Sequence, residues 1–171
     1  MAGITYCNST TSTHLSAELF KHRAQIEMTH VPYKGSPAVF PDLLTGRVQV
    51  FFISEDLILG YVKQGTLRAL ATGAEQRSDR LPGVPSLSEI FPGFTSITWS
   101  ALVGPEGMPA PVVDKISKSV AAIMSEPTFA RQLLETGTQP VGGGPEDLQK
   151  VVQHDRAIWE PVIKMTGAKA D

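Results

Sequence analysis

Residues 4–15 read ITYCNSTTSTHL, and they change from a short apolar run, through a cluster of hydroxyl side chains, to a segment with helical spacing. The run at 4–7 predicts a strand. Leu15 and Leu19 lie on one face of a helix predicted over residues 12–24, and the Ser/Thr cluster before it can cap the helix N-terminus. A strand, a polar turn and a helix in this order predict the start of a parallel α/β unit.

The same alternation continues along the first half of the chain. The elements predicted next are strands at 26–31, 48–53 and 67–72 and helices at 37–44 and 56–63. Strands that alternate with helices favour right-handed crossovers, and the nearly continuous apolar character of the third predicted strand is typical of burial on both faces. The first half is therefore predicted to be α/β with a parallel sheet.

The second half of the chain has a different pattern. Residues 73–94 are rich in proline and glycine and predict a long loop with a short helix at 86–90, followed by a strand at 95–103. Further helices are predicted from apolar stripes that run from Val112 to Met124, from Phe129 to Leu134 and from Leu148 to Trp159.

Composition and charge exclude several classes of function. The 171 residues include 15 Lys and Arg against 17 Asp and Glu, and the net charge is −2. Because no run gathers five or six like charges, nucleic acid is not an expected partner. Cys7 is the only cysteine, and the four histidines share no metal-ligand spacing, so we predict no disulfide, metal site or cofactor.

The residue types of a hydrolase triad are present, but their arrangement does not favour catalysis. Ser9, Ser12, His14 and Asp42 supply a nucleophile, a base and an acid. A Gly-x-Ser-x-Gly elbow is missing, and His14 lies inside the helix that would have to present the nucleophile. We therefore predict that the chain is not an enzyme.

The N-terminal residues give no targeting signal. They have no basic start followed by an apolar stretch, and no run in the chain approaches the roughly 18 apolar residues of a membrane span. Taken alone, this start predicts a cytoplasmic protein.

Several blocks of the sequence resemble one protein family. The blocks are HVPYKG at 30–35 with DLLTGRV at 42–48, GTLRALA at 65–71, LPGVP at 81–85 with PGF at 92–94, PEGMPAPVV at 105–113, and PVGG at 140–143 with GAKAD at 167–171. In this order they resemble the substrate-binding proteins of tripartite tricarboxylate transporters, the Bug family of solute receptors. The resemblance covers nearly the whole chain from about residue 4.

The resemblance implies a periplasmic-binding-protein type II fold, in which two α/β lobes close on a small organic carboxylate. It also implies a periplasmic, non-catalytic receptor that delivers its ligand to the membrane permease subunits of the transporter. Because the chain begins where the second lobe of the family begins, we expect residues 4–98 to form a complete α/β ligand-binding lobe. Residues 99–171 are expected to form an incomplete, helical returning segment of the other lobe, and we expect the chain to be a receptor or a truncated derivative of one.

Candidate ligand contacts lie in the polar loop after the first strand. In α/β sheets, ligands bind at the carboxyl ends of strands, and a helix N-terminus favours an anion. Ser9, Thr10, Thr11 and Ser12 occupy this position and add hydroxyl donors. The resemblance implies that the carboxylate-holding loop of the family falls here, although the usual glycines of that loop are absent.

Residues after the next two strands complete the candidate site. Lys34 can supply a positive charge for a second carboxylate, Tyr33 a ring or hydroxyl, and Gly35 a tight turn. Ser54 follows the third strand at a position where the family commonly has an amide beside an Asp, and Ile53 replaces that Asp here. We expect this loss of an acid to alter ligand preference or to remove binding.

Two alternatives remain open at this point. One is the effector-sensing module of a regulator, and the other is a truncated paralogue without a tight ligand. Because apolar stripes such as the one from Val112 to Met124 would be exposed in a monomer, we also expect a homodimer that covers these helices.

Overall fold

The computed structural model describes residues 3–167, and its first elements confirm the predicted α/β unit. Strand β1 spans Ile4–Asn8, helix α1 Thr11–Ala24 and strand β2 Met28–Pro32. A short 3-10 turn, Ser36–Ala38, is followed by helix α2, Phe40–Leu44, strand β3, Val50–Phe51, and helix α3, Glu55–Lys63. The remaining helices are α4 Leu87–Ile90, α5 Ala110–Met124, α6 Pro127–Glu135 and α7 Pro145–Thr166.

The strands of the described residues form a parallel sheet in the order β2-β1-β3. Tyr6 of β1 lies opposite His30 of β2 and opposite Val50 of β3. The central position of β1 means that the loop following it is flanked by the loops that follow both other strands. This register confirms the α/β class with a parallel sheet.

Core residues lie on both faces of the sheet. Successive side chains of a strand point to opposite faces, so Tyr6 and Cys7 enter different clusters. The Tyr6 cluster contains Ala17 of α1 and Met28, whereas the Cys7 cluster contains residues near α2. The members of the Cys7 cluster are Cys7, Val39 and Val48, with Tyr33, Leu43 and Phe51 packed against them. Burial raises the pKa of the Cys7 thiol to about 12, so this thiol stays protonated at neutral pH.

Helix α1 begins with a reciprocal cap. The Thr10 side chain accepts a hydrogen bond from the Thr13 backbone N–H, and the Thr13 side chain accepts one from the Thr10 backbone N–H. The basic residues Lys21, His22 and Arg23 occupy its last turn, where cations interact favourably with the helix dipole. The Ser/Thr cluster thus caps the helix, as its sequence predicts.

Two predicted strands are wrong. At 67–72, only Thr72 forms a bridge, to Ser86, and Leu70 remains 62% exposed. At 95–103, the Ser96 N–H donates to the Gly73 carbonyl at 2.8 Å, but the apolar residues beyond Ser96 are exposed. A β-rich composition forms a strand only where a neighbouring backbone offers a continuous row of partners, and no described segment does so here.

The chain divides into two compact units. One comprises residues up to Thr98 together with residues from Glu160 onward, and the other comprises Trp99–Trp159. Of the described residues in Trp99–Trp159, none is buried. The predicted assignment of residues 4–98 and 99–171 to two lobes stays a prediction, and residues 168–171 of the family-like ending lie outside the described part of the chain.

A capping box and an ion pair hold the long loop that precedes α4. Ser86 is the N-cap of α4, and its backbone N–H donates to Glu89 Oε1 at 2.8 Å. Arg77 donates to both Glu89 oxygens, through Nε at 2.8 Å and Nη2 at 2.6 Å. These bonds tie Arg77 within the loop to the first turn of α4.

We expect a Glu89→Gln variant to lose the part of the folding stability that depends on an ionised Glu89. The hydrogen bonds from Arg77 and then from the Ser86 N–H lower the pKa of Glu89 to about 2. Because the folded-state pKa is lowered, ionised Glu89 contributes stability above the unfolded pKa of about 4.3, and this contribution is lost as the pH falls through about 2. Urea unfolding between pH 7 and pH 2 should show that the advantage of the parent over the variant shrinks below about pH 4.3. A constant advantage, or the same loss for Glu75→Gln, would contradict this explanation.

Candidate functional site

The three loops that contain the predicted site residues emerge at one edge of the sheet. Ser9 follows β1, Tyr33 follows β2 and Ser54 lies between β3 and α3. Parallel strands bring their carboxyl ends to the same edge. The first two loops are joined by the Tyr33 N–H, which donates to the Asn8 carbonyl at 3.2 Å, and by the Ser9 and Ser36 hydroxyls, 2.9 Å apart.

Thr10, Thr11 and Ser12 form the N-terminal end of α1. The Thr10 and Ser12 hydroxyls are 3.0 Å apart, and all three residues are exposed. The first N–H groups of a helix have no intrahelical partner and carry a partial positive charge. In the described helix α1, the first turn contains no acidic side chain to neutralise that charge. This end of the helix can therefore accept an anion.

Tyr33, Lys34 and Gly35 form the second loop. The Tyr33 hydroxyl donates to Asp42 Oδ2 at 2.7 Å, and this bond raises the pKa of Tyr33 to about 12. The hydroxyl proton is thus engaged by Asp42, and Tyr33 also packs against the Cys7 cluster. Lys34 is exposed, and Gly35 has a φ of 84°, a conformation that favours glycine.

Ser54 is the N-cap of α3 and is exposed. Within the described structure its hydroxyl makes no capping hydrogen bond to the helix. The next residue, Glu55, pairs with Arg80 at 3.4 Å. An acidic side chain thus lies beside Ser54, and a cation from the long loop partly neutralises it.

Sequence reasoning missed the residues that support the first loop. Asn8 is 7% exposed, and its Oδ1 lies 2.8 Å from His30 Nε2. The His30 ring stacks on Tyr6 at a centroid distance of 5.1 Å and lies 4.3 Å from the His14 ring. The two-residue alternation of β1 and its register with β2 are the signals that could have found this cluster, because they place Tyr6 beside His30.

A partly buried carboxylate, Glu18, lies beside the same cluster. The Tyr6 hydroxyl donates a short hydrogen bond to Glu18, and Lys21 Nζ pairs with Glu18 at 2.9 Å. Burial alone would raise the pKa of Glu18, but these two hydrogen bonds outweigh it and lower the pKa. Since the phenol proton is directed at Glu18, the contact at 3.2 Å between the Tyr6 oxygen and His14 Nδ1 requires His14 to be the donor.

The residue types of a hydrolase triad do not form one hydrogen-bonded group among the described contacts. The Ser9 hydroxyl pairs with Ser36, His14 pairs with Tyr6, and Asp42 accepts from Tyr33 and Arg47. The residue types of a triad are therefore engaged in separate pairs.

Among residues 3–167, no group of three or more His, Cys, Asp and Glu side chains is placed to hold a metal ion. None of the described helices is both long enough and apolar enough to cross a bilayer.

A family model described as "Tripartite tricarboxylate transporter family receptor" matches residues 3–168. The chain belongs to this receptor family. It is 32% identical over 155 residues to the UPF0065 protein in the tcbD-tcbE intergenic region of Pseudomonas sp. strain P51, a match that covers 90% of this chain and 46% of the relative. It is 29% identical over 157 residues to the protein BugT of Bordetella pertussis, covering 91% of this chain and 48% of BugT.

Solved structures share the fold of this chain. A structure described as R. palustris Rpa4515 with adipate is 34% identical and has a TM-score of 0.83, covering 96% of this chain and 56% of that chain. The periplasmic binding protein BugD is 26% identical with a TM-score of 0.79. These matches confirm the periplasmic-binding-protein fold. The chain spans about half the length of the two curated relatives named above.

Proposed function

We propose that this chain forms the carboxylate-recognising part of a solute-binding receptor. The observation on which the proposal rests is the shared sheet edge at which the loops after β1, β2 and β3 meet the N-terminus of α1. In the proposed complex, one carboxylate of the ligand accepts hydrogen bonds from the first N–H groups of α1 and from the hydroxyls of Thr11 and Ser12. The adipate bound by the R. palustris relative supports a ligand of this class.

The second loop would recognise the other end of a dicarboxylate. Lys34 is exposed in that loop and is the nearest cation along the chain to Tyr33 and Gly35. A charge-assisted hydrogen bond from Lys34 is worth more than a neutral one. Ser54 would add a neutral donor from the third loop. This arrangement favours small organic acids over uncharged solutes.

The family membership supports a place in transport rather than in catalysis. We propose that the receptor acts in the periplasm and delivers its ligand to the membrane permease subunits of a tripartite tricarboxylate transporter. The engagement of His14 and Asp42 in separate pairs is consistent with a non-catalytic role.

We expect a Thr11→Ala/Ser12→Ala variant to bind adipate at least about tenfold more weakly than the parent. Each lost hydrogen bond to a charged group removes about 1.5–3 kcal/mol, and a tenfold change in Kd corresponds to about 1.4 kcal/mol. Titration calorimetry with adipate, malate and citrate would measure the effect, and circular dichroism would confirm folding. Thr45→Ala/Ser119→Ala is the matched control, because Thr45 precedes β3 and Ser119 lies on α5.

Two outcomes would contradict the proposed function. A folded parent chain that binds none of the di- and tricarboxylates is not a receptor for this ligand class. A Thr11→Ala/Ser12→Ala variant that binds as well as the parent excludes the first loop as the carboxylate site.

We also propose that two copies of the chain associate through the helices of Trp99–Trp159. Helices α5 and α6 contain no buried residue within the described structure. Large apolar side chains are exposed in this unit, among them Leu102, Val103, Val112, Ile116 and Ile123. Exposed apolar surface on this scale is typical of an interface.

We expect light scattering at micromolar concentration to give the mass of a dimer. An Ile116→Lys/Ile123→Lys variant should shift the mass towards the monomer, because it places two charges on the exposed face of α5. Asp114→Lys is the control, since it changes the net charge by the same +2 at an exposed residue of α5 that is already polar. A well-behaved monomer of the parent would contradict self-association.

A further inference from the structure

His30 is exposed overall, but contacts with two neighbouring rings fix the orientation of its imidazole. The ring stacks on Tyr6 at 5.1 Å with an interplanar angle of 24°, and it lies 4.3 Å from the His14 ring at 36°. Tyr6 is fully buried, so the ring contact rests on a part of the core that does not move easily. The edge of His30 that bears Nε2 is thereby directed at Asn8.

A chain of hydrogen bonds runs from His30 to the N-cap of α1. Asn8 Nδ2 donates to the Thr10 carbonyl at 3.4 Å, so the other end of the amide, Oδ1, faces His30. An amide oxygen only accepts, and the contact of 2.8 Å therefore requires a proton on His30 Nε2. Thr10 is the residue whose side chain caps α1.

The Asn8 backbone joins the same chain to the second loop. Its carbonyl accepts the Tyr33 N–H at 3.2 Å. One buried residue thus connects the loop after β1 with the loop after β2, and the orientation of its side chain depends on a donor from β2. Removing one partner of a buried hydrogen bond is more costly than the bond itself is worth, because the other group is left unsatisfied.

We infer that His30 is a positioning residue for ligand binding. It holds the Asn8 amide in the orientation that keeps the Thr10 carbonyl, and with it the N-terminal end of α1, in place for a carboxylate. This inference deepens the proposed function and rests on it. His30 itself does not contact the ligand in this scheme.

Three variants separate the hydrogen bond from the ring contact. His30→Phe keeps an aromatic ring against Tyr6 but has no donor, and we expect it to bind adipate at least about fivefold more weakly than the parent. His30→Gln loses the ring but places an N–H donor at a similar distance from the backbone, and it should restore binding to within about twofold. His22→Phe is the control, because His22 is exposed in the last turn of α1.

A second measurement does not require a ligand. In amide NMR spectra of the free chain, His30→Phe should shift the signals of residues 9–13 more than His30→Gln does. If the parent binds no carboxylate but this pattern appears, the proposed function fails and the positioning of the loop by His30 stands. If His30→Phe binds like the parent, or leaves residues 9–13 unshifted, the inference is wrong.

Discussion

Replacing Tyr6 by alanine is expected to lower the free energy of unfolding by about 3–5 kcal/mol. Tyr6 is fully buried at the centre of β1 and contacts Ala17 and Met28 in the core. Removing the ring leaves a cavity that neighbours fixed in α1 and β2 can fill only in part. Urea or guanidinium unfolding followed by circular dichroism measures the loss.

A Tyr6→Phe variant shows how much of this loss in the free energy of unfolding comes from the hydroxyl and how much from the ring. Tyr6→Phe should cost about 1–3 kcal/mol, because Glu18 and His14 both lose a partner while the ring remains. Tyr61→Ala is the control, since Tyr61 is only half-buried and stacks on Phe40 at 4.9 Å. A Tyr6→Ala variant no less stable than Tyr61→Ala would show that the Tyr6 cluster is not the centre of the core.

An Asn8→Asp variant is expected to weaken adipate binding by about two orders of magnitude. The substitution is nearly isosteric and keeps an acceptor for His30, but it removes the Nδ2 donor to the Thr10 carbonyl and adds a negative charge next to the loop proposed to hold the ligand carboxylate. Two like charges about 5 Å apart at an effective dielectric constant of about 20 repel by about 3 kcal/mol. Calorimetric titration of the folded variant with adipate measures the effect.

The matched control places the same charge at the opposite edge of the sheet. Gln49 precedes β3, and its Oε1 accepts from the Thr5 N–H at 2.8 Å, so Gln49→Glu keeps that contact. Gln49→Glu should bind adipate within about twofold of the parent. Equal losses in the two variants would mean that net charge, rather than the position of the charge, determines the affinity, and would argue against the proposed site.

Local sequence signals predicted the sheet well where each element is stabilised by its immediate neighbours. The change at residues 4–15 from apolar to hydroxyl to helical spacing gives β1 and α1 directly, and Thr10 caps α1. The pattern at 67–72 is equally rich in apolar residues but was misleading, since the backbone of Thr72 bonds to Pro85 and Leu87 instead of a strand. Whether such a run becomes a strand depends on a partner distant in sequence.

The candidate site could likewise be predicted from local sequence signals only in part. The hydroxyl residues of the first loop are visible in the sequence because a cap and an anion site use the same residue types. The residues that support this loop cannot be recognised in the sequence. Tyr6, His14 and His30 come from three elements and meet only once the register of β1 and β2 is set. The hydrogen bond from the Tyr33 hydroxyl to Asp42 could not be predicted from the sequence either, because it depends on how the intervening residues fold.

The discontinuity of the first compact unit has a consequence for biosynthesis. The sheet lies within residues 4–51, but the unit also includes residues from Glu160 onward, and Val162 in that part of α7 is only 4% exposed. Domains tend to form from the N-terminus as the chain leaves the ribosome. The described strands can therefore pair before the residues from Glu160 onward are synthesised, and the unit is complete only when that part of α7 has joined it. A nascent chain that ends before Glu160 therefore holds every strand of the described sheet but lacks part of the unit that contains this sheet.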